Sequence, residues 1–267
     1  MNQSPCRSAA LTLYRKARDP LTARPAKIRA DRLLFERGLA GSREQAQVLI
    51  MEGVVYTPSG RVLKAGSTLP ADVELELKGR LPFVSRGGVK LAHALDAFEI
   101  DVEGLIVLDV GASTGGFTDC LLQRGARQVY AVDVGHGQMD YKLRQDDRVL
   151  VMEKTNARHP FDLPDPVDLL VMDVSFISLT MVVPEAGKHL KLGQCIVALV
   201  KPQFEAKKSQ VGRGGVIKDP MVHADVLGKT VNWAVGLGFR VRNMCRSPIQ
   251  GDAGNQEFFI LLQKPQN

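Results

Sequence analysis

A chain of 267 residues, 45% of them hydrophobic, can bury one sizeable core and a small second unit. No stretch approaches the roughly 20 consecutive apolar residues of a membrane span, which excludes a helical membrane protein. The four cysteines (Cys6, Cys120, Cys195, Cys245) lie far apart with no C-x-x-C pair, so a metal site or disulfide framework is not expected and a reducing, cytoplasmic compartment fits.

The net charge of +6 is concentrated at the start. Arg7, Arg15, Lys16, Arg18, Arg24, Lys27 and Arg29 face Asp19 alone within residues 1–30, which accounts for the whole excess. Pro5, Pro20 and Pro25 interrupt this stretch, and no apolar face develops. Residues 1–27 are therefore expected to be a basic, mostly disordered tail, with a short helix over 9–18 allowed. Such a tail suits contact with RNA phosphates, and an Arg-rich, acid-poor start also suits a transit peptide. A secretory signal is not expected, because no apolar region follows the charges.

Residues 28–78 read as a small folded module. Arg29 to Gly38 predicts a short helix stopped by the glycine. Ser42 caps a second predicted helix, Arg43 to Glu52, with Gln45 as its capping-box partner and Ala46, Leu49 and Ile50 on one face. Val54–Tyr56 and Val73–Leu77 read as strands, with a turn at Pro58-Ser59-Gly60. So small a core suits a binding appendage better than an enzyme. Residues 79–85 are expected to be a linker.

Residues 86–267 alternate helix and strand. Helices are predicted at 86–98, 115–123, 178–190 and 219–236. Strands are predicted at 105–110, 128–132, 148–152, 167–172, 195–200, near 239–245 and at 257–262. The pattern implies an α/β, doubly wound Rossmann-like sheet with its ligand at the strand carboxyl ends. Asp219-Pro220 is a cap followed by a first-turn proline, a strong helix start.

The first strand of this region runs Leu105 to Asp109 and enters the turn Gly111-Ala112-Ser113-Thr114-Gly115-Gly116-Phe117-Thr118. The next strand ends at Asp133, where a carboxylate can accept both hydroxyls of a free ribose. A nucleoside cofactor is implied. Ser113 stands where a dinucleotide fold needs its second glycine, and Asp109 would repel a pyrophosphate but suit a cationic amino group. These features favour S-adenosylmethionine over NAD. The candidate cofactor contacts are Asp109, the turn residues 111–118, Asp133, Val134 and Asp173. Asn156 is either a contact to the adenosine or a cap on local backbone.

Four polar residues flank buried strands or the first helix: Lys90, Asp173, Lys201 and Glu257. A charge at a strand's carboxyl end points into the crevice of such a fold. A structural ion pair is the competing explanation for each.

Two resemblances add to these readings. The pattern Arg32-Leu33-Leu34, Gly38-Leu39, Ser42-Arg43, Ala46, Ile50, Gly53-Val54-Val55 and Gly60 resembles the S4 RNA-binding domain. It implies that Arg29, Arg32, Arg37 and Arg43 grip structured RNA. The stretches Ser85 to Leu91, Asp109 to Thr118, Val132 to Gln138, Asp173 to Ser178, Lys201 to Glu205 and Gly254 to Glu257 resemble FtsJ-like ribose 2′-O-methyltransferases with a Lys-Asp-Lys-Glu tetrad.

Taken together, the order resembles the TlyA family of ribosomal RNA 2′-O-methyltransferases, also labelled haemolysin-like. The resemblance implies a cytidine target, ribosomal RNA or ribosomal subunits as partner, Arg86 as a further RNA contact, and no metal. Lys201 is then expected to be the general base and Asp173 to orient it, with Lys90 and Glu257 completing the polar network. A charged lysine cannot take a proton. A sulfonium and Lys90 nearby would favour its neutral form, whereas Asp173 would oppose that. A membrane-active cytolysin and a non-catalytic ribosome-assembly factor are the alternatives. The first would need a long apolar or strongly amphipathic segment.

Overall fold

The computed structural model describes residues 26–51, 53–77, 82–251 and 253–266, so all but the last two residues of the tail expected over 1–27, with its helix over 9–18, lie outside the described residues. The chain divides into two units, Met1–Lys78 and Gly79–Asn267.

In the small unit, strand β1 (Lys27–Arg29) leads into helix α1 (Ala30–Glu36), and helix α2 (Arg43–Met51) follows. Strand β2 (Val55–Thr57) lies between β3 (Gly60–Arg61) and β5 (Glu76–Leu77), and β4 (Thr68–Pro70) pairs antiparallel with β1. Ala30, Leu33, Leu34, Ala46, Ile50 and Val55 form the core. The folded part starts two residues before the expected boundary at Ile28, because the Ala26 carbonyl accepts from Ala71 N at 2.8 Å. The strand expected over Val73–Leu77 shrinks to its last two residues. Ser42 Oγ accepts from Gln45 N at 3.1 Å as a cap should. The Gln45 side chain accepts from Gly41 N rather than closing the expected capping box on Ser42.

Beneath this surface lies Asp31, which is 0% exposed. Its carboxylate accepts from Arg29 at 2.8 and 3.0 Å, from Gln47 at 3.1 Å, from Arg43 at 3.3 Å and from the Arg32 amide at 2.8 Å. Arg29 foremost holds this carboxyl far below the usual carboxylate range.

The large unit opens with helix α3 (Arg86–Ala97), then β6 (Ile106–Val110), α4 (Gly116–Gln123), β7 (Gln128–Val132), α5 (Tyr141–Arg144) and β8 (Val149–Met152). It continues with β9 (Val167–Met172), α6 (Leu179–Ala186), β10 (Leu190–Val200), α7 (Pro202–Glu205), α8 (Pro220–Gly236), β11 (Arg240–Arg246) and β12 (Phe258–Gln263). The strands form one sheet in the order β11-β12-β10-β9-β6-β7-β8. The pairs from β10 to β8 are parallel, and β12 runs antiparallel to both its neighbours. The strand order reverses between β6 and β9, which opens a crevice at their carboxyl ends.

Alternate residues of β6 serve opposite faces. Val107 joins a core with Leu91, Leu95, Leu121 and Phe259. Ile106, Leu108 and Val110 join another with Leu170, Val183, Ile196 and Ala234. Helices therefore cover both faces of the sheet, and β6 is buried throughout.

Two boundaries differ from expectation. The helix expected over 178–190 ends at Ala186, a 3-10 turn spans Gly187–His189, and β10 already begins at Leu190. Leu190 pairs with Val167, and the register then slips before Cys195, where Gly193 breaks the apolar pattern that marks the rest of the strand. The described part of the expected linker is packed structure. Val84 N donates to Asp119 Oδ2 at 2.7 Å, and Gln123 donates to the Pro82 carbonyl at 2.9 Å. Residues 82–85 are therefore fastened to α4. Among the described residues no helix is long and apolar enough to cross a membrane.

Candidate active site

The turn after β6 is shaped by what lies behind it. Gly111 has φ +86°, and a Cβ there would sit 2.6 Å from the Asp173 carbonyl oxygen. Only glycine lets the ends of β6 and β9 lie this close. Gly115, φ +94°, begins α4 where a Cβ would meet Leu143 at 2.2 Å. Ser113 also takes a left-handed conformation, φ +48°, at a cost of about 1 kcal/mol for a residue with a Cβ. In that conformation its amide donates to Asp133 Oδ2 at 2.8 Å, while Gly135 N donates to Oδ1 at 2.7 Å. The Asp133 carboxylate is thus aimed by two backbone amides, and each oxygen retains a lone pair for a ribose hydroxyl.

Asp109 is 0% exposed. Its Oδ2 accepts from Thr118 Oγ1 at 2.7 Å, and its Oδ1 has no hydrogen-bond partner among the described residues. Burial pushes this carboxyl up to about 7, against the pull of Thr118 and with help from the charges of Asp173 and Asp133. An orphaned buried acceptor is costly and marks a place where a ligand donor belongs. A cationic amino group answers that need and a phosphate does not, so the pocket fits S-adenosylmethionine.

The other expected contacts divide. Ala112, Ser113, Thr114 and Gly116 lie along the same turn, and Val134 is exposed just beyond Asp133. Phe117 and Thr118 are buried. Phe117 packs its ring 6.2 Å from Phe259, and Thr118 stands behind Asp109. Both occupy the inward face of α4's first turn, so they support the turn rather than line it. Asn156 is exposed and its side chain accepts from Arg158 N at 3.1 Å, the local-cap arrangement.

The four candidate catalytic residues form two ion pairs. Asp173 follows β9 and Lys201 follows β10, on parallel neighbours, and Lys201 Nζ lies 2.6 Å from Asp173 Oδ1. The same ammonium donates to Ser175 Oγ at 2.7 Å. Glu257 precedes β12, and the antiparallel register Val200↔Phe258 carries it opposite Lys201. Lys90 reaches from α3 to donate to Glu257 Oε2 at 2.7 Å across 167 residues of sequence. Gly251 leaves the room this needs, since a Cβ there would lie 2.4 Å from Glu257 Oε1. Lys90, Lys201 and Glu257 are all buried. Asp173 is half-buried, and buried charges brought to the crevice at the strand ends are costly unless paired.

Several neighbours went unassigned in the sequence. Ser175 shares Lys201 with Asp173. Phe176 is 91% exposed, has φ +64° and sets its ring 5.1 Å from Phe204. Buried Asn255 accepts from Ile217 N at 2.9 Å and donates to the Gly215 carbonyl at 2.8 Å, tying a glycine-rich loop to the segment that carries Glu257. The one signal available was an aromatic residue set among polar positions just past a strand end.

The arginines expected to hold RNA have partners within the small unit. Arg29 and Arg43 serve Asp31, Arg32 pairs with Glu36 at 2.6 Å, and Arg37 donates to the Ala71 and Val73 carbonyls. Arg29, Arg32 and Arg43 nonetheless keep about half of their side-chain surface open. Arg86 opens α3 in the large unit.

The family model for FtsJ-like methyltransferase matches residues 83–264. YqxC of Bacillus subtilis, provisionally named an rRNA methyltransferase, is 48% identical over 90% of this chain and 86% of its own length. The 16S/23S rRNA (cytidine-2′-O)-methyltransferase TlyA of Mycobacterium tuberculosis is 44% identical over 89% of this chain and 90% of its own. The solved structure of a Streptococcus thermophilus protein carrying a hemolysin name superposes with a TM-score of 0.70 at 45% identity, covering 92% of this chain and 90% of that one. With the crevice geometry, these matches place the chain in the FtsJ-like methyltransferase family, on its TlyA branch.

Proposed function

We propose that this protein transfers a methyl group from S-adenosylmethionine to the ribose 2′-hydroxyl of a cytidine in ribosomal RNA. The observation that carries this reading is the convergence of Lys201–Asp173 and Lys90–Glu257 beside the glycine turn that fits the cofactor. The base identity rests on the names of the relatives. Bound S-adenosylmethionine supplies a methyl group on a positively charged sulfur.

The protein's own residues supply orientation and proton removal. Asp109 and Asp133 hold the two polar ends of the cofactor. Lys201, in its neutral form, accepts the 2′-hydroxyl proton as the oxygen attacks in line. Asp173 and Ser175 fix the direction of its amine. Lys90, kept on Glu257, offers a cationic donor that steadies the developing alkoxide. Much of the rate then comes from alignment. Phe176, exposed beside the pair, offers a face on which a splayed base can stack.

We infer further that residues 28–78 are an S4-like RNA-binding domain, followed by the methyltransferase domain over 86–267. Arg29, Arg32, Arg37, Arg43 and Arg86 would contact phosphates of the substrate RNA. Their internal partners pre-order the side chains, so less rotamer freedom is lost on binding.

The test is Lys201→Ala, assayed by mapping 2′-O-methyl groups in ribosomal RNA after incubation with cofactor. The mark should form with the wild type and be lost in the variant while cofactor binding persists. Methylation undiminished in the variant removes Lys201 from the mechanism.

A further inference from the structure

The stretch Lys201-Pro202-Gln203-Phe204-Glu205 contributes a base at its start and a half-buried carboxylate at its end that the mechanism leaves unused. Glu205 closes α7, whose first turn is fastened to the base by the bond from Phe204 N to the Lys201 carbonyl at 2.9 Å. Its Oε2 accepts from Ser178 Oγ at 2.6 Å and its Oε1 from Leu179 N at 2.8 Å. Ser178 ends the β9–α6 loop and Leu179 opens α6 directly after it. That loop also carries Asp173 and Ser175, the two groups that hold Lys201 Nζ.

Ser178 Oγ caps α6 from its own chain by accepting from Thr180 N at 3.1 Å, and Glu205 adds, from across the crevice, an acceptor for the first-turn amide of Leu179. Among the described residues no ion pair involves Glu205, and burial raises its carboxyl above the ordinary range. A partly desolvated acid without a counter-ion among the described residues, whose two bonds both cross to Ser178 and Leu179, ties the two segments together. A second contact crosses at the same place, the Phe204 ring on Phe176, whose backbone is held left-handed.

We propose that Glu205 is a positioning residue that clamps the β9–α6 loop to the β10–α7 turn and so keeps Lys201 aimed at the ribose hydroxyl. The two groups that orient the base lie on one loop and the base on another. Their alignment is therefore only as good as the fastening between the loops. This inference rests on the reading of Lys201 as the base.

The experiment measures single-turnover methylation of ribosomal RNA at saturating cofactor, with cofactor and RNA affinities measured separately. Glu205→Met removes both acceptors at similar volume. It should slow the methyl transfer roughly tenfold and leave both affinities within about twofold, as expected for a lost alignment. Glu205→Gln should stay within about threefold of wild type, because a carboxamide can accept from Leu179 N and donate to Ser178 Oγ. Placed on Ser175→Ala, the Met substitution should cost under about threefold, since part of what it disturbs is already gone.

A Met variant with wild-type rate overturns the proposal. So does a full tenfold cost persisting in the Ser175→Ala background, or a loss shared equally by cofactor affinity and not rescued by Gln. If the Met variant does not fold, Glu205→Asp, which draws the carboxylate back by one methylene, carries the same expectation of a slowed rate at unchanged affinities. Lys201→Ala run alongside separates the two ideas. Activity surviving there defeats the base assignment, whereas a dead Lys201→Ala with a normal Glu205→Met defeats only the clamp.

Discussion

Among the described residues two aspartates are fully buried, and the protein treats them in opposite ways. Asp31 in the small unit collects two arginines, a glutamine and a backbone amide, and its carboxyl is held far below the ordinary range. Asp109 in the large unit receives one threonine hydroxyl, keeps one oxygen without a partner, and is pushed up to about 7. The same residue type at the same burial is saturated in one place and left wanting in the other. A saturated carboxylate organises its own fold. An unsaturated one is a cost the fold bears for a ligand.

The sharpest way to break this comparison is to remove the buried partner of a charge in the crevice. Lys90→Met leaves Glu257 buried and unpaired, which should destabilise the large unit by about 3 kcal/mol and lower methyl transfer by at least roughly a hundredfold. Denaturant unfolding and single-turnover kinetics report the two effects. A variant of normal stability and rate would make the pair ornamental.

Next in size is the exchange between the two aspartates themselves. Asp31→Ala should cost the small unit about 2 kcal/mol, less than a fully buried pair because its arginines are half exposed. Cofactor affinity should not change. Asp109→Asn should do the reverse, weakening S-adenosylmethionine binding roughly tenfold, read by calorimetry, without loss of stability. Reversed outcomes would erase the distinction.

Acidity separates them as well. Asp31 has a depressed folded value, so its contribution is present above about pH 4 and is lost as pH falls below that range. Asp109 has a raised one, so its protonated form favours the folded state at low pH, and that advantage disappears as pH rises from about 4 through 7. In the cofactor-free protein, the melting temperature of wild type relative to Asp109→Asn should therefore fall between pH 5 and pH 8. A constant difference would show that the carboxyl is already ionised at pH 5.

The smallest expected change in stability comes from Phe176→Ala. An exposed ring contributes little to the core, and its removal also lets the left-handed backbone relax, so unfolding should move by less than about 0.5 kcal/mol. Methyl transfer should still fall roughly tenfold if a base stacks there. Unaltered kinetics would place the base elsewhere.

Much of this arrangement was legible in the sequence, and what was legible shares a cause. β6, β7 and β9 carry dense apolar runs because both their faces are covered, and the polar residue at or just past the end of such a run is set at the crevice by the fold itself. The places of Asp109, Asp133, Asp173 and Lys201 are therefore legible in the sequence alone. What could not be read depends on pairing across distance. Nothing local to Lys90 announces Glu257, and nothing in the arginine-rich start of the small unit shows that Arg29 and Arg43 converge on Asp31. The early part of β10 was hidden by Gly193, and β1 and β4 are too short to carry a period. Ser175 and Glu205 matter through loops brought together by the sheet, so their place shows only once parallel strands β9 and β10 are set side by side.

The most direct measurement is single-turnover transfer from labelled S-adenosylmethionine to ribosomal RNA, with the product mapped to the sugar. The account predicts a 2′-O-methylcytidine formed by the wild type. In Lys201→Ala it predicts a rate reduced by about a thousandfold, with the cofactor still bound. A methyl group found on a base, or a Lys201→Ala rate equal to wild type, would contradict it.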